Sequence, residues 1–153
     1  PALGKDNWDQ VETSYRFWGR PSAGMFALLL RGQSDTVHFH ARSGTWAGVC
    51  YLAPPALCDG RDGVTFFRHK RTGAETFVDA SSSQLAAFRL DAPDPTRWEV
   101  VHTVSMAFNR MVLFNGRFFH AASHGFGDGP TDGRLTQLFN IDFSSTGLAP
   151  TPG

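Results

Sequence analysis

Three groups of residues in this chain have the right types and spacing for metal and anion chemistry. His38-Phe39-His40 offers two imidazoles at i and i+2, His120 stands in the apolar run Phe118-Phe119-His120-Ala121-Ala122, and Arg134 follows a glycine-rich loop into the stretch Leu135 to Phe143. Side chains on a strand alternate in direction, so His38, His40 and Arg42 would share one face and Val37, Phe39 and Ala41 the other. Two imidazoles on one face make a metal clip, and His120 can add a third donor from a strand distant in sequence. Imidazole suits iron, zinc, copper and nickel, so these donors alone do not choose the ion. Arg134 adds a planar fork matched to a carboxylate. Taken singly, His38 or His40 is equally well read as a strand histidine bonded to a backbone carbonyl, and Arg134 as a partner of Asp128 or Asp132. The combination points to a metal centre with an anionic cosubstrate.

Short strands must carry these groups. Tyr15 to Trp18 reads as a strand ended by Gly19-Arg20-Pro21, and Ser22 to Arg31 fits helix or strand, with the helical turn preferred. Strands are expected over Thr36 to Ala41, Thr45 to Leu52, Gly63 to His69, Trp98 to Met106 and Met111 to Phe114. Asn115-Gly116 signals a hairpin with Arg117 to Ala122 returning, and Leu135 to Phe143 is the last strand. Glu75 to Val78 reads as an edge extension, and Ser81 to Phe88 as a short helix. Seven or eight short strands with scant helix predict an all-β domain, a double-stranded β-helix or jelly-roll barrel. It would span residues 1–143, with 1–13 as a loose lead-in and 144–153 as a flexible tail.

Composition narrows the function classes. At 153 residues the chain holds one domain with a real core, and 41% hydrophobic against 18% charged residues marks it as globular. Fourteen Phe, 16 Gly and four Trp favour strands and turns over helices. Fourteen basic residues balance 14 acidic ones, so no nucleic-acid partner is expected; Arg68-His69-Lys70-Arg71 reads as a solvated turn. The longest apolar run, Met25 to Leu30, is too short to span a bilayer, and no membrane partner is expected. The start Pro1-Ala2-Leu3-Gly4-Lys5-Asp6 lacks the apolar core of a leader, and there are only two cysteines, Cys50 and Cys58. A reduced, cytoplasmic protein is the expectation.

The segments Phe108-Asn109-Arg110-Met111-Val112-Leu113-Phe114, Phe119-His120-Ala121 and Gly133-Arg134-Leu135 together resemble the C-terminal half of the iron(II)/2-oxoglutarate oxygenases, especially the prolyl-hydroxylase-like branch. Gly63-Val64-Thr65-Phe66-Phe67 resembles a middle strand of that branch. Trp46 to Leu52, with Phe67-Arg68-His69-Lys70 and Phe108-Asn109-Arg110, is similar to a bacterial oxygenase-like family without an assigned activity. The resemblance covers about residues 36–143 and is strongest in the last third.

It implies Fe(II) and 2-oxoglutarate as cofactors, His120 as the distal metal ligand and Arg134 as the clamp on the far carboxylate of 2-oxoglutarate. Tyr51, Thr65 and Asn109 would bond the cosubstrate, or serve the sheet and its turns. The family's His-x-Asp or His-x-Glu pair is absent. With His40 in the histidine slot, the i+2 partner is Arg42, which cannot bind a metal; with His38 there, the partner is His40 and the site has three histidines. The substrate implied is a small or amino-acid-like molecule, which His124 could touch. His69, His102 and His124 otherwise read as surface or structural. Two other readings stand beside this one: a zinc hydro-lyase or hydrolase on His38, His40 and His120, and a non-catalytic protein, either a jelly-roll binding module or an oxygenase relative that has lost its metal.

Overall fold

The computed structural model describes residues 16–20, 24–40, 45–78 and 80–142. Among the described residues, eight strands form two antiparallel sheets. The larger sheet has five strands in the order β1 (Arg16–Arg20), β2 (Gly24–Leu29), β8 (Arg134–Asp142), β3 (Thr45–Tyr51), β6 (Met111–Asn115). The smaller has three, in the order β5 (Trp98–Ser105), β4 (Asp62–His69), β7 (His120–Ala122). The α-helices among the described residues are a single turn, α1 (Pro55–Cys58), and α2 (Ser82–Asp91), with a 3-10 turn at Pro95–Arg97. The all-β expectation holds. A closed barrel is not seen among the described residues, where β1 and β6 end one sheet and β5 and β7 the other.

Register decides what faces the space between the sheets. In the larger sheet Leu29 pairs with Arg134, Ala27 with Thr136 and Met25 with Leu138. Across β8, Tyr51 pairs with Thr136, Val49 with Leu138 and Ala47 with Asn140, while Ala47 also opposes Phe114 on β6. Directly paired residues point to the same face, so these side chains form one wall. Phe66 on β4 meets Phe114 on β6 edge-on, with ring centroids 5.1 Å apart, and joins the two sheets.

The opposite face of the smaller sheet packs against α2. Phe88 and Leu85 of the helix meet Val37, Trp98 and Phe119, and His69 at the end of β4 bonds Asp91 at the end of the helix, Nε2 to Oδ2, at 2.9 Å. The helix starts where Ser81 and Gln84 form a capping box, each side chain bonding the other's backbone N–H. His69 is fully buried, against the solvated turn expected for Arg68 to Arg71; the turn's exposed charges are Lys70 and Arg71.

Three expectations are corrected. Residues 24–29 form a strand between β1 and β8 and not a helical turn: Ala27 and Leu29 line the cavity between the sheets, and Leu28 on the other face is buried as well, so the run lacks the alternation that marks a half-buried strand. Thr36 to Ala41 is not a regular strand; His38 makes an isolated bridge to His120, and Ala41 lies outside the described residues. The turn at Asn115-Gly116 does not close a hairpin, since β6 pairs with β3 in one sheet and β7 with β4 in the other. Glu75 to Val78 contributes a single bridge, Thr76 to Phe118. The expected lead-in, tail and residues Arg42 and Phe143 lie outside the described residues. Cys50 and Cys58 are free thiols, and no described helix is long and apolar enough to cross a membrane.

Candidate metal centre

Strand alternation builds the site as the sequence suggests. Val37 and Phe39 turn to the aromatic cluster under α2, so His38 and His40 point the other way, into a cavity between the sheets. At the start of β7 the same rule sends Phe119, just before the strand, to that cluster and His120 to the cavity. His38 and His120 are direct cross-strand partners: His38 N–H donates to the His120 carbonyl at 2.9 Å, and His120 N–H to the His38 carbonyl at 3.0 Å. His40 N–H donates to the Gly116 carbonyl at 2.8 Å, which ties the clip to the turn after β6. The metal-binding atoms of His38, His40 and His120 all lie within 4.8 Å of one another.

Hydrogen bonding fixes the tautomers of two of these rings. A carbonyl only accepts, so His120 Nδ1, 2.7 Å from the Phe118 carbonyl, carries the hydrogen, and so does His38 Nδ1, 3.0 Å from the Thr36 carbonyl. The Nε2 lone pair of each is left for a metal, which is the usual arrangement of a ligating histidine. Burial, then the neighbouring His38, pushes His120 down to about 3 and His40 to about 4. Both rings are neutral at pH 7, the form that coordinates.

The cavity measures about 410 Å³. Ala27, Leu29, Val64, Arg134 and Thr136 line its buried end, while Met25, Phe139 and Asn140 line the more open part. Arg134 is 1% exposed; its Nη2 donates to the Gly63 carbonyl at 3.2 Å, and its guanidinium carbon stands 5.9 Å from the centre of the Tyr51 ring. Tyr51 is fully buried and its hydroxyl accepts the Val64 N–H at 3.0 Å, so it seats Arg134 rather than facing the cavity. Burial raises its pKa, and the Arg134 charge opposes that rise. Gly63 has to be glycine, because a Cβ there would lie 2.5 Å from the Val104 carbonyl oxygen and collide with the Tyr51 hydroxyl.

The other expected residues lie elsewhere. Thr65 is on the face of β4 opposite Val64, its hydroxyl bonded to those of Thr103 and Ser123, each at 3.1 Å. Asn109 is exposed in the turn between β5 and β6, at φ 59°, a left-handed conformation that asparagine tolerates. His124 is exposed in the loop before β8, and His102 is exposed on β5. Two cavity-lining residues had no signal in the sequence: Thr136, on β8 opposite Ala27 of β2, and Asp35, whose carboxylate approaches His38 Nδ1 at 3.4 Å. Gly116 is a third omission, since a Cβ there would fall 2.8 Å from His40 Nδ1.

A family model, described as a family of unknown function (DUF6445), matches residues 33–141, a span that contains all three histidines and Arg134. The chain belongs to DUF6445. No curated protein matches it. The DUF6445 match begins just before Asp35 and ends within β8, so it takes in the three histidines and Arg134 but not the β2 residues Met25, Ala27 and Leu29 that line the same cavity.

Proposed function

We propose that this DUF6445 chain is a mononuclear non-haem oxygenase of jelly-roll type, with Fe(II) on His38, His40 and His120 and 2-oxoglutarate held by Arg134. The observation that carries the reading is the cluster of three imidazoles, within 4.8 Å of one another, in the same cavity as a guanidinium 1% exposed. The residues fit both groups. Three neutral nitrogen donors suit a first-row divalent ion, and a buried arginine suits a dicarboxylate. Bound iron with 2-oxoglutarate supplies an oxidant from dioxygen that hydroxylates a C–H bond. The chain's own part is to hold and shield. Backbone carbonyls aim two imidazoles, Tyr51 and Gly63 hold Arg134 in place, and Ala27, Leu29 and Val64 keep that end of the cavity dry. The substrate, a small or amino-acid-like molecule, would enter past Met25, Phe139 and Asn140.

One feature of the donor set favours a second reading. Three histidines without a carboxylate are also the ligands of zinc hydro-lyases, in which a zinc-bound water fills the fourth position. Anaerobic titration of the metal-free protein with Fe(II) and then 2-oxoglutarate, followed by succinate measurement after oxygen is admitted, separates the possibilities. The oxygenase reading expects a new absorption band on adding 2-oxoglutarate and succinate release, both lost in His120→Ala. Tight Zn(II) binding without any response to 2-oxoglutarate would overturn it in favour of the hydro-lyase. A chain that takes up no metal would be a binding module.

A further inference from the structure

The backbone ladder between the His38 segment and β7 breaks off where it should continue. His38 and His120 exchange both backbone hydrogen bonds, so in a regular antiparallel ladder Thr36 and Ala122 form the next such pair, with the Thr36 carbonyl accepting the Ala122 N–H. Here the Thr36 carbonyl accepts from His38 Nδ1 at 3.0 Å, and the Ala122 N–H donates to Asp35 Oδ2 at 3.1 Å. The same carboxylate oxygen stands 3.4 Å from His38 Nδ1. One side chain has replaced a rung of the ladder, and the carbonyl it released orients an imidazole.

We propose that Asp35 is a positioning residue for the metal centre: by taking the Ala122 amide it releases the Thr36 carbonyl to aim His38, and it sets a negative charge beside that ring. This rests on the reading of His38, His40 and His120 as metal ligands. Three links carry it. Asp35 spans the two chain segments that supply His38 and His120, so it fixes their separation as well as one ring. Its carboxylate is mostly shielded, with the side chain 19% exposed, so its charge is felt more strongly than a solvated one. An anion next to Nδ1–H also strengthens electron donation from Nε2, the atom that faces the metal, as carboxylate–histidine–metal triads do. A purely structural aspartate would need only the bond to Ala122.

Asp35→Asn keeps an oxygen for the Ala122 amide and removes the charge, so it separates the two roles. Metal-free protein is titrated with Co²⁺, followed by its visible absorption, in the wild type, Asp35→Asn, His38→Ala and the double variant, with thermal unfolding recorded for each. We expect Asp35→Asn to unfold close to the wild-type temperature and to bind Co²⁺ roughly 10- to 100-fold more weakly with an altered spectrum. In the His38→Ala background the same change is expected to have little further effect, because it acts through that ring. Wild-type affinity in Asp35→Asn, or an equal loss with and without His38, would overturn the role of Asp35 and leave the metal centre standing. No Co²⁺ binding by the wild-type chain would overturn the metal reading and this proposal together.

Discussion

Gly116 tests how closely packing sets the geometry of the proposed ligands. It follows β6 in the turn toward β7, its carbonyl accepts the His40 N–H at 2.8 Å, and its φ is not in the left-handed region, so alanine is allowed by the backbone. A Cβ added there would lie 2.8 Å from His40 Nδ1 and 2.9 Å from its Cβ and Cγ. Ordinary carbon contacts begin near about 3.5 Å, so His40 has to retreat by roughly 0.6 Å. Rotation about χ1 cannot relieve a contact with its own Cβ, so the His40 backbone moves as well. Metal–ligand distances tolerate only about 0.2 Å, and a donor displaced by several times that is lost or strained. Gly116→Ala is therefore expected to weaken Co²⁺ or Zn²⁺ binding by roughly 10- to 100-fold while the sheets stay folded. Isothermal titration of metal-free protein measures the affinity, and circular dichroism checks the fold. Gly129→Ala, whose Cβ would meet only Asp132 Oδ1 at 3.8 Å, is the control and should bind as the wild type does. Equal affinity in Gly116→Ala and the wild type would refute the packing argument.

Other consequences are open to direct measurement. Arg134→Met should leave metal uptake intact and weaken 2-oxoglutarate binding roughly 10- to 100-fold, the worth of a charged hydrogen bond; equal affinities in a titration with both proteins would remove Arg134 from that role. Tyr51→Phe deprives the buried Val64 N–H of its acceptor, costs about 1–3 kcal/mol and should lower Tm; an unchanged Tm would mean the hydroxyl is not needed. His120 titrates near 3 when folded and near 6.5 when unfolded, so the unfolded chain takes up a proton first as pH falls. Its contribution is complete above about pH 6.5, and roughly 2 kcal/mol is gone by pH 5, with His40 adding to the loss on the way to about pH 4. Metal-free protein melted at pH 7.5 and 5 shows the effect, and His120→Gln should flatten it; an identical pH slope in both would contradict the burial of a neutral ring.

The site was more legible than the chain path that builds it. The period of two places His38 with His40 opposite Val37 and Phe39, and His120 opposite Phe119, because each apolar partner needs the core under α2 whatever the pairing. The same local rules failed where neighbours decide. Met25 to Leu29 shows no alternation since Leu28 is buried on one face as Ala27 and Leu29 are on the other, and Asn115-Gly116 makes a turn without fixing which sheet receives the next strand. Tyr51 and Thr65 carry hydroxyls suited to a ligand, yet each is committed to a partner far along the sequence, Val64 and the Thr103–Ser123 pair. Asp35 was invisible for the converse reason. Its partner is an amide 87 residues away, and only the interrupted ladder brings the Asp35 carboxylate into view.

Metal stoichiometry tests the central claim most directly. Purified wild-type protein and the His38→Ala, His40→Ala and His120→Ala variants, each loaded with Fe(II) or Co²⁺ under nitrogen and desalted, are analysed by elemental mass spectrometry. The account predicts close to one ion per wild-type chain and a marked loss in every variant, most complete for His120→Ala. Wild-type protein emerging without metal, or all three variants retaining as much as the wild type, would contradict it.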